Sequence, residues 1–183
     1  MKGTRLVVAS CGEDVAWTEG MPVDSVTIYN ADQKRELPGS IRVPNVAREA
    51  GMYARHILRN WDDLAEVEAF VQGDPFDHVS PTALVSRLQA PMRAGLTPLG
   101  YVHPFPHGSG HPHIGWAKGL ASRTRLPLPP HFNWVRGAQF KVTREAITRR
   151  GKGWWQGWYY AVIDGHEWTP WGAERLWWLV FDP

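Results

Sequence analysis

The chain has 183 residues, 43% hydrophobic and 21% charged, which suits one ordinary globular domain with a real core. A net charge of +2 and a pI near 8.8 are only mildly basic and do not by themselves point to nucleic acid. A lone cysteine, Cys11, excludes an internal disulfide, no apolar run reaches the ~18 residues of a membrane span, and the early charges do not fit a signal peptide. The expectation is therefore a cytoplasmic protein without a membrane partner.

Taken in order, Arg5 to Ser10 has the apolar, β-branched character of a buried strand ending at Cys11-Gly12-Glu13-Asp14, and Asp14 can cap a short helix through Trp17. Ser25 to Asn30 is a second strand, ending in Asn30 and Asp32, so the two suggest a βαβ unit. Pro38-Gly39 marks a turn. From Asn45 a helix is expected, with Val46, Ala50, Tyr53, Ala54, Ile57, Leu58 and Trp61 on its apolar face and Arg48, Glu49, Arg55, His56 and Arg59 on the other. Arg48 can reach an anion there, or form a solvated or structural ion pair with Glu49.

The stretch Val67 to His78 organises the rest. An apolar strand, Val67 to Val71, runs into a polar knot of Gln72, Gly73, Asp74, Asp77 and His78. In open α/β sheets the ligand crevice lies outside the carboxyl ends of the strands, so acids placed just past a buried strand lie where a nucleotide or metal binds. Asp74, Asp77 and His78 can hold a hard divalent cation, Mn or Mg, which needs only one or two protein carboxylates when phosphate oxygens complete the shell. The plain alternative is a solvated turn with an Asp cap.

Pro81 to Leu88 is a short helix capped by Ser80. About residues 91–130 the pattern fades into a long Pro/Gly/His-rich loop carrying His103, His107, His111 and His113, whose spacing matches no defensible Cys/His zinc site. Asn133 to Val142 returns to strand character, and Gly137 within it suggests a bulge or close backbone approach. Thr143 caps a helix through Arg150. The run Arg149-Arg150-Gly151-Lys152-Gly153-Trp154-Trp155 can grip phosphates while stacking bases, or can be a packed aromatic turn among solvated charges. Eleven tryptophans, concentrated between Trp154 and Trp178, exceed what a core of this size needs, so part of them is expected to line a stacking surface. Ala173 to Phe181 is an amphipathic segment with Glu174 near its start, where a carboxylate serves as a general base or complements the helix dipole.

In their order, VVASCGED, VTIYNAD, PNVAREAGMY, FVQGDPFDH, GAQFKVTREAI and ERLWWLVF resemble a family of small proteins related to the GT-A glycosyltransferases, over almost the whole chain. The resemblance implies a single GT-A-like, Rossmann-like domain, a mixed sheet flanked by helices, that binds a nucleoside diphosphate sugar. GT-A enzymes usually carry Asp-x-Asp after a central strand; Gln72-Gly73-Asp74 takes that place, with Gln for the first Asp. Asp74 then becomes the metal ligand, helped by Asp77 or His78; where GT-A enzymes place a late metal-binding His after their second acidic motif this chain has Trp177 and Trp178, so either His166 substitutes or the metal is held mainly by Asp74 and the diphosphate. Glu13, Asp14, Asn30 and Asp32 would hold the nucleoside, with Arg48, Gln72, Gly73 and Gly137 also at the donor. Glu174 would be the acceptor base.

The expected activity is transfer from a nucleotide sugar, UDP-sugar favoured, to a hydroxyl. The acceptor is either a hydroxymethylated base in DNA, as in phage-type modification, or a saccharide or small molecule, with Arg149, Arg150, Lys152, Trp154 and Trp155 forming its surface. Two other classes compete: a non-catalytic GT-A-like module that binds nucleotide, carbohydrate or nucleic acid, and a hydrolase with zinc on the His-rich loop.

Overall fold

The computed structural model describes residues 3–92, 95–105, 112–164 and 168–181. Its spine is a strand whose side chains alternate between two cores. In β1 (Thr4–Ser10), Leu6 and Val8 enter one apolar cluster while Val7 and Ala9 enter the other, as the two-residue period of a strand buried on both faces requires. β2 (Ser25–Asn30) and β4 (Val67–Gln72) flank β1 in parallel, β3 (Ile41–Arg42) extends β2, and β8 (Phe140–Thr143) runs antiparallel between β4 and β5 (Leu96–Pro98). The order is β3-β2-β1-β4-β8-β5. The sheet is mixed, and helices flank it in one compact α/β domain.

On one face, α2 (Pro81–Gln89) packs Leu84 and Leu88. On the other lie α1 (Arg48–Arg59), α3 (Pro112–Thr124), α5 (Gly151–Ile163) and α6 (Thr169–Phe181). A second, two-stranded sheet pairs β6 (Val102–Phe105) with β7 (Phe132–Val135), fastened by the stacked rings of Phe105 and Phe132, 4.6 Å apart. α4 (Arg144–Thr148) follows β8 directly, and Thr143 Oγ1 accepts the Ala146 N–H as its cap. Ser80 does the same for α2. No described helix is long and apolar enough to cross a membrane.

Several expectations are corrected. Residues 91–130 are not one loop: β5, β6 and α3 all fall within them. The crossover from β1 to β2 contains only a 3-10 turn, Ala16–Thr18, whose first N–H bonds to Asp14 as expected. Gly137 divides the predicted strand 133–142 between two sheets, β7 in one and β8 in the other. α1 starts at Arg48, and two residues of its expected polar face, Glu49 and His56, are buried: Glu49 beside Glu174 and Arg175 of α6, His56 against the sheet. His56 instead lies between the Tyr29 hydroxyl (3.1 Å) and Glu68 (3.3 Å).

The tryptophans mostly serve the core. Trp155, Trp158 and Trp177 are fully buried and pack in one aromatic cluster with Phe181 and Phe140. Trp155 therefore cannot stack on a ligand. Arg149 donates to the Phe181 carbonyl at 2.6 Å, and Arg150 to Val180 (2.6 Å) and Leu179 (3.0 Å), so the pair satisfies carbonyls that the last turn of α6 leaves without helical partners. Arg150 also covers the Trp154 ring at 4.5 Å, and Lys152 faces Asp62 at 3.8 Å. These groups hold two helices together.

Candidate functional site

Along the sheet, β1, β2 and β3 step one way, and β4 returns to the opposite side of β1. The loops after β1 and β4 meet on one face of the sheet, Trp17 against Phe76 at 5.6 Å, and the carboxyl ends of these two strands, where the strand order reverses, are where open α/β sheets bind ligands. A cleft of 600 Å³ lies there, lined by Ser10, Cys11 and Glu13 after β1, by Gln72, Asp74 and Asp77 after β4, and by Asn45, Arg48, Glu49 and Met52 at the start of α1.

Its floor is built by close backbone approach. A side chain on Gly73 would come within 2.5 Å of Glu13 Oε2 and 3.0 Å of the Ser10 Cα, so only glycine lets the two loops meet. Glu13 Oε2 accepts the Ser10 hydroxyl at 2.8 Å and the Cys11 N–H at 2.5 Å, and Trp17 Nε1 donates to the Gly73 carbonyl at 2.8 Å. Asp74 and Asp77 are exposed; Asp74 Oδ1 accepts the Phe76 N–H at 3.2 Å. Partial burial, then the charges of Glu13 and Asp32, push the Cys11 thiol up against the pull of Arg48, which keeps it protonated and a poor nucleophile at neutral pH.

The wall from α1 is unusual. Ala47 (φ 60°) and Arg48 (φ 51°) are consecutive non-glycine residues in the left-handed region, a backbone costing on the order of 1–3 kcal/mol each. That turn sends Arg48 out over the Trp171 ring, 4.5 Å away, and tucks Glu49 in. Burial pushes the Glu49 carboxyl up to about 7; its own backbone N–H and the Arg48 and Arg175 guanidiniums pull it down, while the Glu174 charge adds to the rise. Glu49 is the site residue the sequence reading put on the wrong face. Its one forward signal was the Arg48-Glu49 pair at the helix start.

Behind Glu49 stands Glu174. It lies inside the second turn of α6, not near a helix start, and is buried. Its Oε1 accepts the Gly137 N–H at 2.8 Å and its Oε2 takes the Arg175 guanidinium, which covers the Trp134 ring at 3.9 Å. Gly137 has φ 73°, and a Cβ there would run into the His78 ring, so glycine is required twice over. Around this point three buried polar atoms have no partner: Tyr53 Oη, His78 Nδ1 and Gln139 Oε1. Burial first, then Glu49 and Glu174, hold the Tyr53 phenol well above its ordinary range.

The cleft thus gathers Glu13, Arg48, Gln72, Asp74 and Asp77 of the predicted residues, with Gly73 beneath and Gly137, His78 and Glu174 behind. Asp32 stands beside the cleft, against Gly12 and close enough for its charge to push the Cys11 thiol up, and accepts the Lys34 N–H at 2.8 Å. Others lie elsewhere. Asp14 caps the 3-10 turn, and Asn30 holds the following loop through the Arg35 carbonyl (2.7 Å) and the Asp32 N–H (3.0 Å). The Arg149–Trp155 surface sits at the far end of α6, about 12 Å along the helix from Trp171. His166, His107 and His111 lie outside the described residues, as does the His113 side chain. Among the described residues, no three His, Cys, Asp or Glu side chains converge on a cation-sized site.

A family model described as "Protein of unknown function (DUF3431)" matches residues 6–94, a stretch that carries every cleft-lining residue but neither Gly137 nor Glu174. Among curated proteins and among solved structures, nothing matches the chain.

Proposed function

We propose that the cleft between β1 and β4 binds a nucleoside diphosphate sugar, a UDP-sugar before others, and that the protein transfers the sugar to a hydroxyl acceptor. The observation that carries this reading is the cleft's position at the point where the strand order reverses, with Asp74 and Asp77 at its edge. The GT-A resemblance of Gln72-Gly73-Asp74 supports the same assignment.

The donor set fits a hard cation held jointly with a diphosphate. Asp74 and Asp77 offer carboxylate oxygens, and Mg or Mn bound with phosphates needs no more from the protein. When bound, such a cation neutralises the leaving diphosphate. Among the described residues, the cleft otherwise sets Glu13, Glu49, Asp74 and Asp77 against one lining cation, Arg48, a balance that repels a bare diphosphate. Arg48 can contact phosphate, and it lies over the Trp171 ring at 4.5 Å.

For the acceptor, the bonds of Arg149 and Arg150 to α6 carbonyls and the burial of Trp155 weigh against the basic stacking surface that a DNA acceptor needs, while Lys152 stays exposed and Trp154 half-buried. A saccharide or small hydroxylated molecule entering the cleft is the better fit. Thermal-shift titration with UDP, GDP and their common sugars, each with and without Mn, tests the reading on wild type and Asp74→Ala. A Mn-dependent shift lost in the variant supports it. A shift without turnover points to a binding module, and no shift with any nucleotide sinks the assignment.

A further inference from the structure

We propose that Glu49, and not Glu174, is the catalytic base, taking the acceptor's hydroxyl proton, while Glu174 is a positioning residue; this rests on the glycosyl-transfer reading. Two carboxylates stand at the back of the cleft, and their surroundings separate their roles. Glu174 is committed: one oxygen accepts the Gly137 amide and the other the Arg175 guanidinium, and it is not among the cleft-lining residues. Glu49 lines the cleft; its own backbone N–H engages the carboxyl on one side, and Arg48 Nε, 3.7 Å from Oε2, is outside hydrogen-bond reach. A base needs an oxygen free to meet the incoming hydroxyl.

The backbone points the same way. The two left-handed residues before Glu49 deliver this side chain to the cleft, and strain of that kind persists where the surroundings hold it in place. The groups facing Glu49 come from two elements: Arg48 and Tyr53 on α1, and Glu174 and Arg175 on α6. The Glu174–Arg175 pair fixes one wall of the pocket without adding net charge to it. Tyr53, one turn along α1 with its hydroxyl unpartnered, extends the same polar pocket.

In the step itself, the acceptor O–H bond breaks as its proton passes to Glu49. The oxygen pair forms a bond to the anomeric carbon, and the bond from that carbon to the diphosphate oxygen breaks with its electrons on the diphosphate. Glu49 then releases the proton to solvent through the open cleft.

The experiment measures nucleoside diphosphate release from UDP-glucose, UDP-galactose, UDP-N-acetylglucosamine and GDP-mannose with Mn, water serving as acceptor, across pH 5 to 9. Wild type, Glu49→Gln, Glu49→Asp and Glu174→Gln are compared, alongside donor-induced thermal shifts. The expected result is that Glu49→Gln keeps the donor shift, loses on the order of 100-fold or more in release, and loses the rise in rate with pH that wild type and Glu174→Gln retain. Glu49→Gln releasing within a few-fold of wild type with the same pH profile overturns the assignment, as does loss of the profile in Glu174→Gln alone. If Glu49→Gln does not fold, Glu49→Asp decides: a retained donor shift with release about tenfold lower supports the role, and release equal to wild type refutes it. Absence of both shift and release in wild type removes the transfer reading and the base with it.

Discussion

The Gly137 amide donates to Glu174 Oε1 at 2.8 Å, joining residues 37 positions apart and tying the turn between β7 and β8 to the middle of α6. Through that bond the back of the cleft, the small sheet and the last helix become one unit. Gly137→Ala forces an L-residue into φ 73° and drives its Cβ into the His78 ring. The expected loss is about 2–4 kcal/mol, combining backbone strain with overpacking. Urea unfolding checks it, and an unchanged midpoint would mean that the turn relaxes freely.

Glu49 gives stability a defined pH dependence. Its folded value, about 7, lies above the ordinary 4.5, so between those values the folded state holds a proton that the unfolded state has released. Stability from this group is therefore full below about pH 4.5 and is lost as pH rises through about 7. The span corresponds to roughly 3 kcal/mol at most. Glu49→Gln should be less sensitive to pH in this window and more stable than wild type at pH 8. Equal slopes of unfolding free energy against pH in the two proteins would contradict this.

Asp74 is exposed, and its Oδ1 accepts the Phe76 N–H. Asp74→Ala should cost no more than about 1 kcal/mol of stability, yet remove any Mn-dependent nucleotide shift. Circular dichroism melts and calorimetric titration of UDP with Mn separate the two effects. Retained Mn dependence in the variant would move the cation away from this loop.

Arg150 reaches the carbonyls of Leu179 and Val180 and covers Trp154. Arg150→Ala should lower stability by about 1–2 kcal/mol through lost charge-assisted bonds, while leaving donor affinity untouched. Weakened binding of a polyanion or of the acceptor in a folded variant would return this surface to a ligand role.

Much of the sheet's local frame was determined by the sequence alone. The strand at 25–30, the organising strand and its polar end at 72–77, and the Ser80 and Thr143 caps all follow from short-range chemistry: β-branched runs, a glycine beside acids, a hydroxyl three residues before a free N–H. Such signals depend on a few neighbours in the chain, and tertiary contacts did not change them.

What only the tertiary structure decided was which polar residues face inward. A single-face reading of α1 sets Glu49 and His56 away from the core, but α6 covers Glu49 and the sheet takes in His56 between Tyr29 of β2 and Glu68 of β4. The same long-range packing buried Trp155 and Glu174, turned Arg149 and Arg150 into anchors for α6, and gave the chain between Pro91 and Pro130 three elements of its own. A residue's type and spacing determine what it can bond to. Whether water or another helix is there to bond with it depends on how distant segments meet, and periodicity along one segment carries no record of that.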